Sequence, residues 1–87
     1  MYSIVVYDIG EKRVVKVLKT TRKYLTWIQN SVLEGEITRA KFFKLKSELR
    51  KIIKKDEDSL VFYTFRTKTY SKRETMGIEK GGESNII

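Results

Sequence analysis

The sequence predicts a single α+β domain, on the strength of three observations. Short runs rich in β-branched and aromatic residues, such as 2–7 and 59–65, are typical of strands. Two longer segments repeat apolar residues every three or four positions, as amphipathic helices do. The 87 residues include no proline and show no repeat or linker, so we expect one domain over residues 1–80 and a flexible tail over 81–87.

The first strand and helix are predicted within the first 22 residues. Residues 2–7, Tyr-Ser-Ile-Val-Val-Tyr, form the strand, Asp8 follows it directly, and Gly10 breaks the run. The helix begins near Glu11, because a carboxylate is favourable at the positive end of the helix dipole. Its apolar stripe is predicted to consist of Val14, Val15, Val17 and Leu18.

The middle of the chain predicts two short strands and a second helix. Residues 24–37 have extended character, with a turn at Gln29-Asn30-Ser31. Thr38 is a good N-cap for a helix that runs to about Lys55. Its predicted core face consists of Phe42, Leu45, Leu49, Ile52 and Ile53, and its lysines and arginines, Lys46 among them, are assigned mainly to the solvated face.

The last elements are a core strand and a short edge strand. The acidic run 56–58 ends the second helix, and we assign it to solubility and chain reversal. Residues 59–65 form the strand, and 75–79 form the edge strand. The element order is then the ferredoxin-like βαββαβ pattern with an extra C-terminal edge strand.

A sheet of this class carries helices on one face only, so its other face must either be exposed to water or pack against another surface. Four large apolar residues exceed what one small core requires: Tyr2, Trp27, Phe62 and Phe65. A domain of this size has a marginal core, and association often adds stability. We therefore expect a homodimer in which two sheets pack face to face.

The net charge of +8 favours phosphate polymers as partners. The plainer alternative is a basic chain whose charge serves solubility alone. The absence of cysteine excludes disulfides. No apolar run approaches the ~20 residues of a membrane span, and the start of the chain lacks the basic flank of a signal peptide. A cytoplasmic protein with no membrane partner is the expectation.

The residue types limit the available chemistry to carboxylates and a hard cation. Without His or Cys, a Ser-His-Asp triad, a Cys-His pair and a tetrahedral zinc site are all excluded. Asp8, at the end of an apolar strand, is the main candidate ligand for Mg²⁺ or Mn²⁺. A two-fold axis could bring it together with Asp8 of a second copy of the chain. The alternative is a turn aspartate that caps Gly10 or Glu11. Glu34 and Glu36 are assigned to solvent or salt bridges.

Basic residues near Asp8 are candidate phosphate ligands. Lys12, Arg13 and Lys16 follow it closely in sequence. The basic stretch 66–73, with Arg66 and Lys68, is predicted to bind phosphates or a protein partner. Tyr7 could orient a water or phosphate, although a half-buried strand tyrosine is the more frequent case. No motif that reads base sequence is present.

An ordered set of short motifs resembles the CRISPR-associated Cas2 family over residues 1–65. These motifs are Tyr-Asp-Ile at 7–9, Lys12-Arg13 at the start of a helix, Gln29 to Gly35 before a lysine-rich helix, and Asp58 to Tyr63 in the last core strand. Two features depart from the family: the short loop between Asp8 and the helix, and the continuation of the last core strand into Arg66 without proline.

The resemblance implies a dimer packed sheet to sheet, in which the C-terminal strand crosses to its partner. It also implies a magnesium-dependent endonuclease on single-stranded RNA or duplex DNA, and a scaffold for the CRISPR integrase during spacer acquisition. The family's metal-binding aspartate maps onto Asp8, and its supporting residues map onto Tyr7 and Ser31. Its basic positions map most nearly onto Lys12 and Arg13.

Three other functions remain open at this point. The chain could be a scaffold that binds nucleic acid without catalysis, a toxin-like ribonuclease of the VapD type, or a plain RNA-binding module. The sequence leaves the choice between RNA and DNA open as well.

Overall fold

The computed structural model describes residues 1–67 and 69–80, which form one antiparallel sheet and two helices. The elements in chain order are β1 (Tyr2–Asp8), α1 (Glu11–Thr21), β2 (Thr26–Gln29), β3 (Val32–Glu36), α2 (Arg39–Ile52), β4 (Ser59–Phe65) and β5 (Ser71–Gly77). The strand order is β2-β3-β1-β4-β5. This arrangement confirms the predicted ferredoxin-like fold with its extra edge strand. The predicted tail, residues 81–87, lies outside the described residues, and so does Lys68.

The core lies between the sheet and the two helices. Successive residues of β1 alternate between the two faces, and Ser3, Val5 and Tyr7 point toward the helices. Seven apolar core side chains are fully inaccessible to solvent: Val5, Val17, Leu33, Leu45, Leu49, Leu60 and Phe62. Burial of each such aliphatic or aromatic side chain contributes roughly 1.5–3 kcal/mol. The fold therefore depends on one continuous core.

The two helices follow the predicted pattern with two differences. The Thr38 hydroxyl accepts a hydrogen bond from the Lys41 amide at 3.2 Å, which confirms the N-cap. Helix α2 ends at Ile52, about one turn before the predicted end near Lys55. Val15 is 71 % exposed, so its placement in the α1 stripe was wrong. The stripe consists of Val14, Val17 and Leu18, because Val15 lies about 200° around the helix from Val17.

The second half of the sheet differs from the prediction at its edge. Asn30 adopts a positive φ of 41° and joins β2 to β3, which confirms the predicted turn. Strand β5 occupies 71–77 instead of 75–79, since it pairs with all seven residues of β4. The resemblance implies that this strand crosses to the partner. Within this chain, β5 pairs with its own β4 through the short connection after Phe65, where the Arg66 amide donates to the Tyr70 carbonyl.

One face of the sheet carries no helix from residues 1–67 or 69–80, and we call it the open face. Strand register and alternation place on it Tyr2, Ile4, Val6, Asp8, Val61, Tyr63 and Phe65. Two residues predicted for this surface lie elsewhere. Phe62 is fully buried in the core, and Trp27 pairs with Leu33, which places its side chain on the helix side of the sheet. The open face nonetheless carries more large apolar side chains than the core of a single chain uses, as the sequence predicted.

Neither helix within the described residues has the length and apolar character of a membrane span.

Gly77→Ala is expected to destabilise the fold by at least about 2 kcal/mol, because two costs add. The residue has φ +87°, and a Cβ there would lie 2.1 Å from the Asp58 carbonyl oxygen. Urea denaturation measures the effect, and Ser71→Ala at the exposed start of the same strand is the matched control. A Gly77→Ala protein as stable as that control would contradict the assigned backbone geometry.

Candidate active site at the end of the first strand

Asp8 is the last residue of β1, and its carboxylate lies on the open face. The residue pairs with Ser59 at the start of β4. Its side chain is 68 % exposed and lies 3.4 Å from the Lys80 ammonium, which also donates to the Asp8 carbonyl oxygen at 3.5 Å. A neighbouring cavity of about 330 Å³ is lined by Val6, Val61, Arg73 and Lys80 as well as Asp8. The carboxylate is therefore accessible to a cation or a substrate.

Tyr7 lies on the opposite face from Asp8, since adjacent strand residues alternate in direction. Its ring is buried, and its hydroxyl donates to the Asn30 carbonyl oxygen at 3.0 Å. Its amide donates to the Ser31 carbonyl oxygen at 3.0 Å. Tyr7 and Ser31 thus support the β2–β3 turn, and the Tyr7 hydroxyl points away from the face that carries Asp8.

A buried carboxylate, Asp58, holds the loop that follows Asp8. Its oxygens accept hydrogen bonds from the Gly10 amide at 2.9 Å, the Lys54 amide at 2.8 Å, and the Arg13 guanidinium at 2.6 Å and 3.0 Å. Its carbonyl oxygen accepts from the Ile78 amide at 2.9 Å. The residue is fully inaccessible to solvent. Asp58 therefore joins the start of α1, the end of α2 and the end of β5.

In the Asp58–Arg13 pair, each group stabilises the charged form of the other. The Arg13 guanidinium holds the pKa of the Asp58 carboxyl well below its usual range; burial opposes this shift, and the Lys54 and Gly10 amides add to it. In turn, the Asp58 carboxylate raises the pKa of Arg13. A buried carboxylate with this many donors is fully compensated.

The free energy of unfolding is expected to depend on this pair at acid pH. Because the pKa of Asp58 is lowered in the folded state, its carboxylate stabilises the fold above about pH 3.9, the ordinary pKa of an aspartate. This contribution to the free energy of unfolding is lost as the pH falls from there toward the pKa that Asp58 has in the folded protein. The stability difference between wild type and Asp58→Asn should therefore shrink between about pH 6 and about pH 3. Urea titrations at both pH values measure it, and a constant difference would contradict this assignment.

The structure overturns one prediction about these residues and leaves another untested. Arg13 was predicted to bind phosphate; its Nε and Nη2 are engaged by Asp58, and Nη2 also lies 3.2 Å from Glu57, so the phosphate contact stays a prediction. Asp58 was expected to serve solubility in the acidic run, but it is completely buried. The one clue in the sequence is that Asp58 stands directly before a core strand, and its partner lies 45 residues away.

The other basic candidates remain available for phosphate. Lys12 and Lys16 are exposed, lie one helical turn apart on α1, and form no ion pair with any residue in 1–67 or 69–80. Arg66 is exposed and its guanidinium lies 5.5 Å from the centre of the Tyr70 ring. Sequence reasoning missed Lys80, because it assigned no contact to the segment after β5.

The donor atoms fit a hard cation only in part within a single chain. No group of three or more acidic residues is close enough to hold a metal ion among the described residues. Mg²⁺ is commonly held by one or two carboxylates, waters and a substrate phosphate. One exposed Asp8 carboxylate per chain would supply one such ligand, and a symmetric pair would supply two.

The fold and site define a class: small, basic, ferredoxin-like proteins with a carboxylate at the edge of an open sheet face. The model of the family described as CRISPR associated protein Cas2 matches residues 1–73. The chain belongs to this Cas2 family. That membership selects the CRISPR interpretation over the toxin-like alternative.

Named relatives and solved structures agree with the assignment. The CRISPR-associated endoribonuclease Cas2 of Dictyoglomus turgidum is 58 % identical over the full length of both chains, and that of Thermotoga maritima is 51 % identical over the same extent. A crystal structure of a Cas2 protein is 41 % identical, with a TM-score of 0.74, and covers 94 % of this chain and 92 % of its own. The crystal structure of Streptococcus pyogenes Cas2 at pH 6.5 is 35 % identical, with a TM-score of 0.69 over 75 % of this chain and 86 % of its own.

Proposed function

We propose that this protein is a metal-dependent endoribonuclease that acts in the cytoplasm as a symmetric dimer. The observation that carries the proposal is the exposed Asp8 carboxylate on the open sheet face, at the end of β1. The relatives named endoribonuclease support cleavage of RNA, and duplex DNA is the second candidate substrate.

The open face is the proposed dimer interface. Helices cover the other side of the sheet, and Val6, Val61 and Tyr63 are only partly buried in the single chain. Packing a second copy against this apolar surface would stabilise both sheets. A two-fold axis near the end of β1 would then bring the two Asp8 carboxylates together.

Asp8 from each chain would hold one Mg²⁺ or Mn²⁺. Such an ion, when bound, polarises the phosphodiester and lowers the pKa of the attacking water. Lys12 and Lys16 would neutralise the backbone phosphates on either side. Chelation of divalent ions with EDTA is expected to stop cleavage, and restored Mg²⁺ to recover it; undiminished cleavage in EDTA would contradict the metal requirement.

Binding of single-stranded RNA should depend steeply on salt, and Lys12 and Lys16 should carry part of that dependence. For single strands, the logarithm of affinity falls with the logarithm of salt by about 0.7 per neutralised phosphate. The double variant Lys12→Ala/Lys16→Ala should therefore lower the slope by about 1.4. Fluorescence anisotropy across a salt series measures the slope.

A matched control removes the same charge elsewhere. Lys44→Ala/Lys51→Ala changes two exposed lysines of α2, which we assign to the solvated face. This control should leave the slope near the wild-type value. Equal slopes for the two double variants would contradict a specific phosphate contact near Asp8.

We also propose the dimer as a DNA-bridging scaffold for the CRISPR integrase. Membership of the Cas2 family supports this role, and the net charge of +8 suits it. Spacer acquisition by Asp8→Ala separates the two roles: full acquisition would show that the scaffold needs no cleavage, and lost acquisition with an intact complex would show that it does.

A further inference from the structure

A small cleft lies at the opposite end of the sheet from Asp8, between α2 and the β4–β5 connection. Its volume is about 120 Å³. We call it the aromatic cleft, and its mouth is formed by Arg39, Phe43, Arg66, Tyr70 and Lys72. Met1 also lines the aromatic cleft, so the cleft lies at the Tyr2 end of β1. Six residue steps along β1 separate Tyr2 from Asp8. At about 3.3 Å per residue, the two sites are roughly 20 Å apart.

The floor of the aromatic cleft contains an ion pair and is electrically neutral. Lys46 is buried, contrary to its predicted place on the solvated face, and its ammonium lies 2.7 Å from the Glu74 carboxylate. The same ammonium lies 5.1–5.9 Å from three ring centres, those of Phe42, Phe43 and Phe62. A buried charge with an ion partner and aromatic neighbours is well compensated. The Glu74 charge is therefore not available to offset the cations at the mouth.

Two aromatic rings at the mouth are exposed to solvent. Phe43 is 55 % exposed and Tyr70 is 47 % exposed. Phe42, the neighbour of Phe43, already fills the core position on α2. The Phe43 side chain is thus not required by the core, and its ring offers a flat apolar surface beside the cleft. Such a surface suits the stacking of a nucleobase, which contributes binding energy whatever the base.

Three cations surround these rings without an acidic partner among the described residues, and one of them, Arg66, lies 5.5 Å from the centre of the Tyr70 ring. Arg39, Arg66 and Lys72 are exposed and form no ion pair within the part of the chain that the structure describes. An apolar peptide would leave these charges unmatched, whereas phosphates on either side of a stacked base would match them. A cavity of roughly 150 Å³ binds a benzene-sized ring, so the cleft is on the scale of a single ring.

We propose that the aromatic cleft is a subsite for single-stranded RNA, in which a base stacks on Phe43 or Tyr70 and Arg39, Arg66 and Lys72 hold the adjacent phosphates. The substrate class rests on the proposed function; the stacking and charge arguments rest on the cleft alone. Since the cleft and Asp8 are roughly 20 Å apart along β1, an RNA that reaches both sites must span several nucleotides.

Binding without cleavage tests the proposal directly. A fluorescent uridine-rich RNA is titrated onto Asp8→Ala and onto Asp8→Ala carrying Phe43→Leu and Tyr70→Leu, which keep apolar bulk but remove the rings. We expect about a tenfold loss of affinity or more. Phe43→Trp and Tyr70→Phe should bind normally, and Val15→Ala, an exposed apolar change on α1, is the matched control. Circular dichroism confirms that each variant is folded.

The outcomes separate this proposal from the proposed function. Leucine variants that bind as tightly as their parent would overturn the subsite, even where wild type cleaves RNA and Asp8→Ala does not. Wild type that neither binds nor cleaves RNA would overturn both. A poly-glutamate peptide that competes as well as RNA would assign the cleft to an acidic protein partner and overturn the subsite. Photocrosslinking of 5-bromouridine RNA to Phe43 or Tyr70 would support it.

Discussion

Asp8→Ala is expected to reduce RNA cleavage by about a thousandfold, because it removes the carboxylate that would hold the metal ion. The stability of the protein should barely change. Asp8 is 68 % exposed, and its contact with Lys80 is a surface ion pair worth at most about 1 kcal/mol. Single-turnover cleavage and thermal unfolding on the same preparations measure both effects.

Asp56→Ala is the matched control for this experiment. Asp56 is an exposed carboxylate in the turn before β4, so its removal changes the net charge equally. It should cleave RNA at the wild-type rate. Magnesium-dependent cleavage by pure Asp8→Ala at a rate near that of the control would remove Asp8 from the mechanism.

Asp58→Ala is expected to destabilise the fold by about 3–5 kcal/mol, the range seen when one partner of a buried ion pair is removed. The change leaves the Arg13 guanidinium without its main partner and the amides of Gly10 and Lys54 without an acceptor. This is a large share of the roughly 5–15 kcal/mol that stabilises a typical domain. Urea denaturation at neutral pH measures the loss.

Glu57→Ala provides the comparison within the same turn. Glu57 is half-exposed, and its ion pairs with Arg13 and Lys54 lie at the surface. Its loss should cost no more than about 1 kcal/mol. If Asp58→Ala and Glu57→Ala were equally stable, the assignment of Asp58 as the residue that holds the β1–α1 loop would be wrong.

The sequence was sufficient to predict the elements and the position of Asp8. The hydrophobic pattern depends on local spacing, so the strands, the Thr38 cap and the β2–β3 turn followed from it. An aspartate directly after an apolar strand must emerge at the sheet edge, and alternation limits it to two faces. Local information therefore located the main candidate ligand.

The supporting residues depend on distant partners and were not predictable in this way. Three acidic residues adjoin one another at 56–58, and only pairing with Arg13, 45 residues away, decides that Asp58 is the buried one. Lys46 likewise resembles its neighbours on α2, and Glu74 on β5 determines its burial. In both cases a charge enters the interior because a partner from another element compensates it.

We propose that two Asp8 carboxylates act together across a dimer axis, and a purified heterodimer provides the test. Wild-type and Asp8→Ala chains with different affinity tags are mixed, allowed to exchange, and isolated by two successive purification steps. Cleavage by this heterodimer is then compared with that of the wild-type dimer. The heterodimer is expected to be almost inactive, because one carboxylate of the pair is missing. A heterodimer with half the wild-type activity would show that each chain cleaves alone and would contradict the proposal.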